Sequence, residues 1–216
     1  MKSSGRRQDR QAARRPLHDV LAACLVLGIY LIAQSAAAEE RHPGSLAGRI
    51  LIAAADMVDP NFSGSLVYMV EHDETGAFGL VINRFLGSVK AVRLLEDLGA
   101  DGGDAEGEIP VHQGGPVEPG AGFVLHSRDF KLADSILLEG DIAFTTNPEI
   151  LRAIARGQGP SRYIFALGYA GWGPGQLESE IARGSWHDIA SDRDLLFGED
   201  DKGKWQRALE RRQIEL

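Results

Sequence analysis

The residue types able to do chemistry in this chain are few and scattered. His72, His112 and His126 each stand near the end of an apolar, β-branched run, with Asp56, Asp59, Glu71 and Asp73 available in the same part of the chain. Imidazoles and carboxylates brought together would suit a metal ion or an acid–base pair. No H-x-x-x-H spacing or close histidine pair draws them into one site, and isolated histidines in strands usually make structural hydrogen bonds, so no metal is assigned. The hydroxyls suggest no more, because Ser63, Ser65 and Ser127 lack the G-x-S-x-G setting of a nucleophile elbow. Gly171, Gly173 and Gly175 precede a helical stretch, a place where backbone N–H groups can cradle phosphate. That run is neither G-x-G-x-x-G nor a P-loop, holds no lysine, and has Glu178 in the first helical turn, where an anion would sit. Turns and close packing are the commoner use of such glycines, and no cofactor is expected.

The stronger signal is for binding. Trp172 lies between glycines in what reads as a loop from Gly168 to Gly175, where a tryptophan is often partly exposed and can anchor a partner. The helix that follows presents Gln176 and Glu180 from one face at i, i+4, whereas Glu178 points elsewhere. Trp172, Gly173, Gln176 and Glu180, together with Gly114 and Gly115, are therefore expected to form one surface patch for an unidentified protein or small-molecule partner. Asp56, His72 and Asn83 are secondary candidates whose usual role is in turn and cap hydrogen bonds.

Elements must position these groups. Arg49–Ala54, Leu66–Glu71 and Gly79–Asn83 are short apolar runs bounded by Asp, Asn, Pro or Gly and read as strands, the last two joined by a hairpin turn over Asp73–Gly76. Ala91, Leu94, Leu95 and Leu98 fall at helical spacing, with Ser88 as the expected cap and Gly99 as the stop. An acidic, glycine-rich loop over 101–108 follows, then strands over Val111–Gln113, Gly122–His126 and Ile142–Thr146. Asn147-Pro148-Glu149 opens a helix that Gly157 closes, Arg162–Leu167 is a strand, and Gln176–Arg183 is a helix ended by Gly184. Trp186–Ile189 reads as a final strand and Lys204–Arg212 as a terminal helix with Trp205, Ala208 and Leu209 inward. Strands outnumber the helices between them, which predicts an α+β domain with a twisted, mixed, largely antiparallel sheet flanked by helices.

The first residues do not read as part of that domain. Arg6, Arg7, Arg10, Arg14 and Arg15 precede an apolar run from Val20 to Ala33 and the small residues Ala36-Ala37-Ala38, the layout of a secretory signal peptide. An uncleaved membrane anchor is the other reading, and both place the domain outside the cytoplasm because the basic flank stays inside. The expected organisation is a signal peptide or anchor over 1–38 that meets the membrane or the export machinery, a linker over 39–47, and one domain over 48–216. The single cysteine, Cys24, falls in the N-terminal segment, so the domain can use neither a disulfide nor a thiol nucleophile. Residues after 38 carry 17 Lys and Arg against 29 Asp and Glu, a net charge of −12 that argues against direct nucleic-acid binding.

Several ordered motifs resemble the YqgE/AlgH family. They are Ile50-Leu51-Ile52-Ala53 with Asp56 and Asp59-Pro60-Asn61-Phe62, Glu71-His72, Gly76 to Arg84, Gly114-Gly115-Pro116-Val117, Gly122 to His126, and Gly168-Tyr169-Ala170-Gly171-Trp172 followed by Gly175 to Glu178 and Glu180-Ile181. The resemblance runs from about Leu46 to Leu209 and implies a twisted, partly barrel-like sheet with surrounding helices. It implies no reaction, because no activity is established for that family. Ala55 and Phe85 stand where its members usually have proline, and the N-terminal segment is an extension to a family whose members are typically cytosolic. The function this supports is a non-enzymatic binding or regulatory protein; the competing class is a small-molecule hydrolase using the His/Asp groups, or a nucleotide-binding enzyme using the glycine-rich run.

Overall fold

A computed structural model describes residues 44–215. The expected signal or anchor segment over 1–38, and the first part of the linker, lie outside the described residues. Residues 44–47, expected to end that linker, are already tied to the domain: Ser45 Oγ donates to His72 O (2.8 Å) and Leu46 N donates to His72 Nδ1 (3.0 Å).

Ten strands and five helices follow among the described residues. The strands are β1 (Arg49–Ala53), β2 (Leu66–Asp73), β3 (Gly76–Val81), β4 (Phe85–Lys90), β5 (Glu108–Gln113), β6 (Val117–Ser127), β7 (Ile136–Leu137), β8 (Ile142–Thr145), β9 (Tyr163–Trp172) and β10 (Trp186–Ala190). The helices are α1 (Ala91–Asp97), α2 (Glu149–Ala155), α3 (Gln176–Ala182), α4 (Arg193–Phe197) and α5 (Asp201–Glu215). The sheet runs β10-β1-β2-β3-β9-β6-β8-β7, all antiparallel, with β5 joining β9 in parallel and carrying β4 on its other side. It curls into a half-barrel, as the strand-rich sequence and the family resemblance imply.

Burial on both faces explains why β1 and β2 are unbroken apolar runs. Ile50, Ile52, Leu66, Tyr68 and Val70 face the inner core with Leu80, Ile82, Leu125 and Phe144. Their neighbours Leu51, Ala53, Val67 and Met69 face outward into a second cluster, closed by Leu177 of α3. A third cluster packs Leu94 and Leu95 of α1 and Ile150 and Leu151 of α2 on the outer side of β5, β6 and β9.

Three expectations change. Ser88 does not cap α1: it lies in β4 opposite Pro110, and the helix begins after Lys90 with no side-chain cap bond. Pairing with β5 draws Phe85–Lys90 into an edge strand that its own sequence does not announce. Asn147 lies one position before the Pro148 cap of α2, although its Oδ1 still accepts from Glu149 N at 2.9 Å. The segment Gly168–Trp172, read as a loop, is the second half of β9. Two further elements have no counterpart in the sequence reading, the two-residue β7 and the one-turn helix α4, which Asp192 caps by accepting from Asp194 N and Leu195 N.

Gly168 is the pivot of β9. Ile164 and Ala166 face the inner core and Phe165 the outer, but beyond Gly168 the parity reverses: Tyr169 faces inward while Ala170 and Trp172 face outward. Gly168 has φ 72°, and a Cβ there would lie 2.6 Å from Gly115 O, so only glycine fits there. Unbroken alternation would have turned Trp172 into the barrel; the left-handed residue at 168 sends it under α3 instead.

Candidate functional site

The predicted patch does not form as one surface. Trp172 is only 6% exposed, stacked on Phe62 (6.2 Å between centroids) and edge-on to Trp186 (5.9 Å). Its expected role as an exposed anchor is therefore corrected: the parity switch at Gly168 buries the ring. Glu180 is the hub of the group, since its Oε2 accepts from the indole N–H of Trp172 (2.9 Å) and of Trp186 (2.8 Å), while Oε1 accepts from Gln176 Nε2 (2.9 Å). Gln176 Oε1 in turn accepts from Gly173 N (3.1 Å). Four of the expected residues thus meet as a latch fastening the end of β9 to α3. Gly114 and Gly115 lie elsewhere, buried against Gly168–Ala170, where an added Cβ would come within 2.1 Å of Gly168 O and of the Tyr169 carbonyl, respectively. They are glycine because β5 and β9 converge there.

The secondary candidates separate as well. His72 accepts from Leu46 N at Nδ1, so its Nε2 carries the proton and donates to Glu178 Oε1 (2.9 Å), tying β2 to α3. Asn83 is a staple, with Oδ1 accepting from Leu66 N (2.9 Å) and Nδ2 donating to Gly64 O (2.9 Å). Asp56 is exposed near the start of the loop after β1. Among the described residues no group of three or more His, Cys, Asp or Glu side chains is placed to hold a metal ion.

One arrangement has the outline of a nucleophile and base. His126 Nδ1 donates to Ser127 O (2.9 Å), leaving Nε2 to accept from Ser135 Oγ at 3.4 Å. His126 has no exposed surface, and burial lowers its pKa from the ordinary histidine value. A substrate has no way to reach the imidazole.

Two open clefts lie among the described residues. One, of about 450 Å³, lies at the end of the half-barrel between the β2–β3 hairpin and the last residues of β9. Phe78 and Tyr169, with ring centroids 4.8 Å apart, supply its aromatic wall, Glu71 and Asp73 its acidic one, and Gly171, Trp172 and Val117 close it. Asp73 is held by its own turn, its Oδ1 accepting from Thr75 N (2.7 Å) and Thr75 Oγ1 (2.6 Å). Burial raises the pKa of Tyr169, and the nearby Glu118 carboxylate adds to that rise. Glu118 sits at φ 46° in the outward excursion of β6 over 118–121, which faces Gly168 across the ladder.

The second cleft, of about 580 Å³, lies between Asn83–Leu86 and the start of α5 and is bordered by Asp201. Beside it, buried Lys204 donates to Ile82 O (3.2 Å) and Leu196 O (3.0 Å) and pairs with Asp201 Oδ1 (2.8 Å). Asp201 Oδ2 also meets His112 Nε2 at 3.0 Å. Burial lowers the pKa of Lys204, more than the Asp201 carboxylate raises it. Burial works against the charge on Asp201 as well, yet hydrogen bonds from His112 and Lys204 outweigh it and hold that carboxyl below its ordinary value. Two backbone carbonyls accept from the ammonium and the Asp201 carboxylate pairs with it, the pattern of an anchor fastening α5 to the sheet.

The sequence reading missed Lys204, Asp201, Val117 and Glu118 in these roles. Lys204 leaves one trace, its i, i+4 relation to the inward Ala208, which puts it on the buried face of α5. The acidic cleft leaves none, because its walls come from segments about 100 residues apart.

A curled, largely antiparallel half-barrel with helices packed outside it defines an α+β single-domain scaffold. Its geometry and sequence are shared. The AlgH-like family model matches residues 50–216. A UPF0301 protein of Cereibacter sphaeroides is 45% identical over 161 residues, covering 74% of this chain and 88% of the relative, and one of Paracoccus denitrificans is 46% identical over 170 residues, covering 76% and 88%. The solution structure of the AlgH protein from Pseudomonas aeruginosa superposes with a TM-score of 0.67 at 37% identity, over 81% of this chain and 92% of that one. The chain belongs to the AlgH-like family.

Proposed function

We propose that this is a non-enzymatic binding protein that receives its partner in the cleft between the β2–β3 hairpin and the end of β9. The observation that carries the reading is that cleft itself. It opens beside Gly168–Trp172, one of the segments that carry the family resemblance, and the Glu180 latch holds its rear wall rigid. Rigid walls favour binding, because little ordering entropy is lost when a ligand enters. The groups lining it are carboxylates, aromatic rings, the Thr75 hydroxyl, small apolar side chains and backbone, with neither a serine nor a histidine among them. The competing hydrolase reading was built on His/Asp groups; the serine–histidine pair that the fold does bring together, Ser135 with His126, has its imidazole sealed from solvent.

Val117 is 36% exposed on the rim, so Val117→Trp fills the cleft at little cost to the fold. Ligand-induced thermal shifts across a panel of peptides and small metabolites are expected for the wild type and absent in the variant, since a bound ligand stabilises the native state by roughly 2.7 kcal/mol at a hundred times its Kd. A filled-cleft variant that keeps every wild-type shift refutes the reading. Ester hydrolysis abolished by Ser135→Ala would favour the hydrolase instead.

The domain is further proposed to work outside the cytoplasm, supported by the basic and apolar N-terminal pattern and by the absence of cysteine after Cys24. No helix among the described residues is long and apolar enough to cross a membrane. Fractionation with sequencing of the mature N-terminus tests this, and a cytosolic product starting at Met1 refutes it.

A further inference from the structure

We infer that residues 130–135 form a strap released by mild acid, with the buried His126 imidazole beneath it as the sensor. The inference is independent of the cleft. Along β6, Val124 faces the outer cluster and Leu125 the inner one, so the His126 ring stands on the outer face of the sheet. The strap covers it there, Phe130 lying edge-on to the ring at 6.4 Å and Ser135 Oγ donating to Nε2 at 3.4 Å. Both ends of the strap are fixed. Asp129 accepts from Ser127 Oγ (2.6 Å) and Ser161 N (3.1 Å), and Ile136 pairs with Phe144 of β8. Between those ends the hold is slight: Phe130 and Leu132 are only partly buried, Lys131 and Ala133 are exposed, and the bond from Asn147 Nδ2 to Asp134 Oδ2 (2.9 Å) lies at the surface.

Acid acts on this arrangement in one direction. Nδ1 already carries a proton, because Ser127 O can only accept, so a second proton must go to Nε2. The Ser135 hydroxyl can turn to accept from it, but the new charge has no close counter-ion. Asp129 is the charged group that acts on the ring, and burial outweighs it, lowering the His126 pKa. Opposite His126 the sheet places Ala143 on β8 and Tyr163 on β9, and burial raises the Tyr163 pKa, which keeps that phenol neutral. The charges of α2 are turned elsewhere, Arg152 to Glu149 and Asp101 O, and Arg156 to Asp104. Arg128 and Arg162, at the strand ends, pair with Asp141 and Asp194. An imidazolium is therefore disfavoured under the strap and unhindered once the strap lifts and water reaches the ring. The open form binds the extra proton, so the closed form is fully favoured above the ordinary histidine value of about 6.5. Below it the opening constant rises by up to about tenfold per pH unit, levelling off beneath the lowered value of the closed form. An imidazolium cannot act as a base, so the opening uncovers a surface and does not start a hydrolysis.

The test is ¹⁵N and ¹³C nuclear magnetic resonance of the full-length protein from pH 7.5 to 5.0, on the wild type and on His126→Gln. Asp129, whose carboxyl is held down to about 2, stays charged throughout that range. In the wild type the heteronuclear NOE values of 130–135 are expected to fall with pH while those of β6 and α2 hold. The open population read from the strap amide shifts should rise by up to about tenfold per pH unit below the ordinary histidine value. In His126→Gln, which has no imidazole to titrate, the strap signals should be independent of pH. Should that variant fail to fold, the ¹³Cε1 resonance of His126 in the wild type decides, since it must titrate in step with the strap amides. A strap whose signals stay flat down to pH 5.0, a pH dependence that survives in the glutamine variant, or a ring that stays neutral while the strap opens each overturns the inference.

Discussion

Replacing Glu180 with leucine should expose how the candidate site is held. Its Oε2 is the acceptor for both indole N–H groups, and Trp186 is 1% and Trp172 6% exposed, so neither donor can turn to water when the carboxylate is removed. A hydrogen bond to a charged group contributes about 1.5–3 kcal/mol, and an orphaned buried donor loses it in full. Two orphans place the cost of Glu180→Leu at about 3–6 kcal/mol. Gln176 is exposed and rehydrates, adding little. Glu180→Gln keeps a carbonyl oxygen with two lone pairs, enough for both indoles, and loses the charge assistance and the exposed bond from Gln176, about 1–2 kcal/mol in total. Urea unfolding followed by tryptophan fluorescence and far-ultraviolet circular dichroism measures both values. The hub argument is refuted if the leucine variant loses less than about 1 kcal/mol, or if the two variants are equally stable.

Three further outcomes follow from the same structure. Trp172→Ala should remove about 3–5 kcal/mol of folding stability, as a buried ring does; a loss below about 1 kcal/mol in denaturant unfolding would return the tryptophan to the surface. Lys204→Met should cost about 3–5 kcal/mol, because it leaves the carbonyls of Ile82 and Leu196 unpaired and Asp201 half-partnered; a neutral result in the same assay would show that the ammonium is not an anchor. Hydrogen bonds from Ser127 and Ser161 hold the Asp129 carboxyl down to about 2, so its contribution to stability is complete above roughly pH 4 and is lost as the pH falls toward 2. Asp129→Asn should flatten that part of the stability curve, and an unchanged acid limb would refute the assignment.

Much of the fold is written locally. The Ile50–Ala53 and Leu66–Val70 runs, the Asp73–Gly76 turn, the Gly157 and Gly184 stops and the inward stripe of the last helix each follow from short-range preferences of strand, turn and helix. The family motifs are local as well, which is why they lead to the right scaffold. Even the partnership of Trp172, Gly173, Gln176 and Glu180 was legible, because it spans less than three turns of helix and loop.

What those residues do was decided by tertiary structure. The left-handed conformation of Gly168 inverts the facing of the residues after it, and no periodicity within β9 reveals that Gly115, in the connection between β5 and β6, occupies the space a side chain would need. Trp172 changes from surface anchor to core on that one point. Phe85–Lys90 becomes a strand only through β5, and Lys204 becomes an anchor only where Ile82, Leu196 and Asp201 converge on it. The cleft itself pairs the hairpin at 71–78 with β9 at 169–172 and with Val117. Charge and aromatic surface act through space at a few ångströms, so a site assembled from such distant segments exists for physics only after the chain has closed the half-barrel.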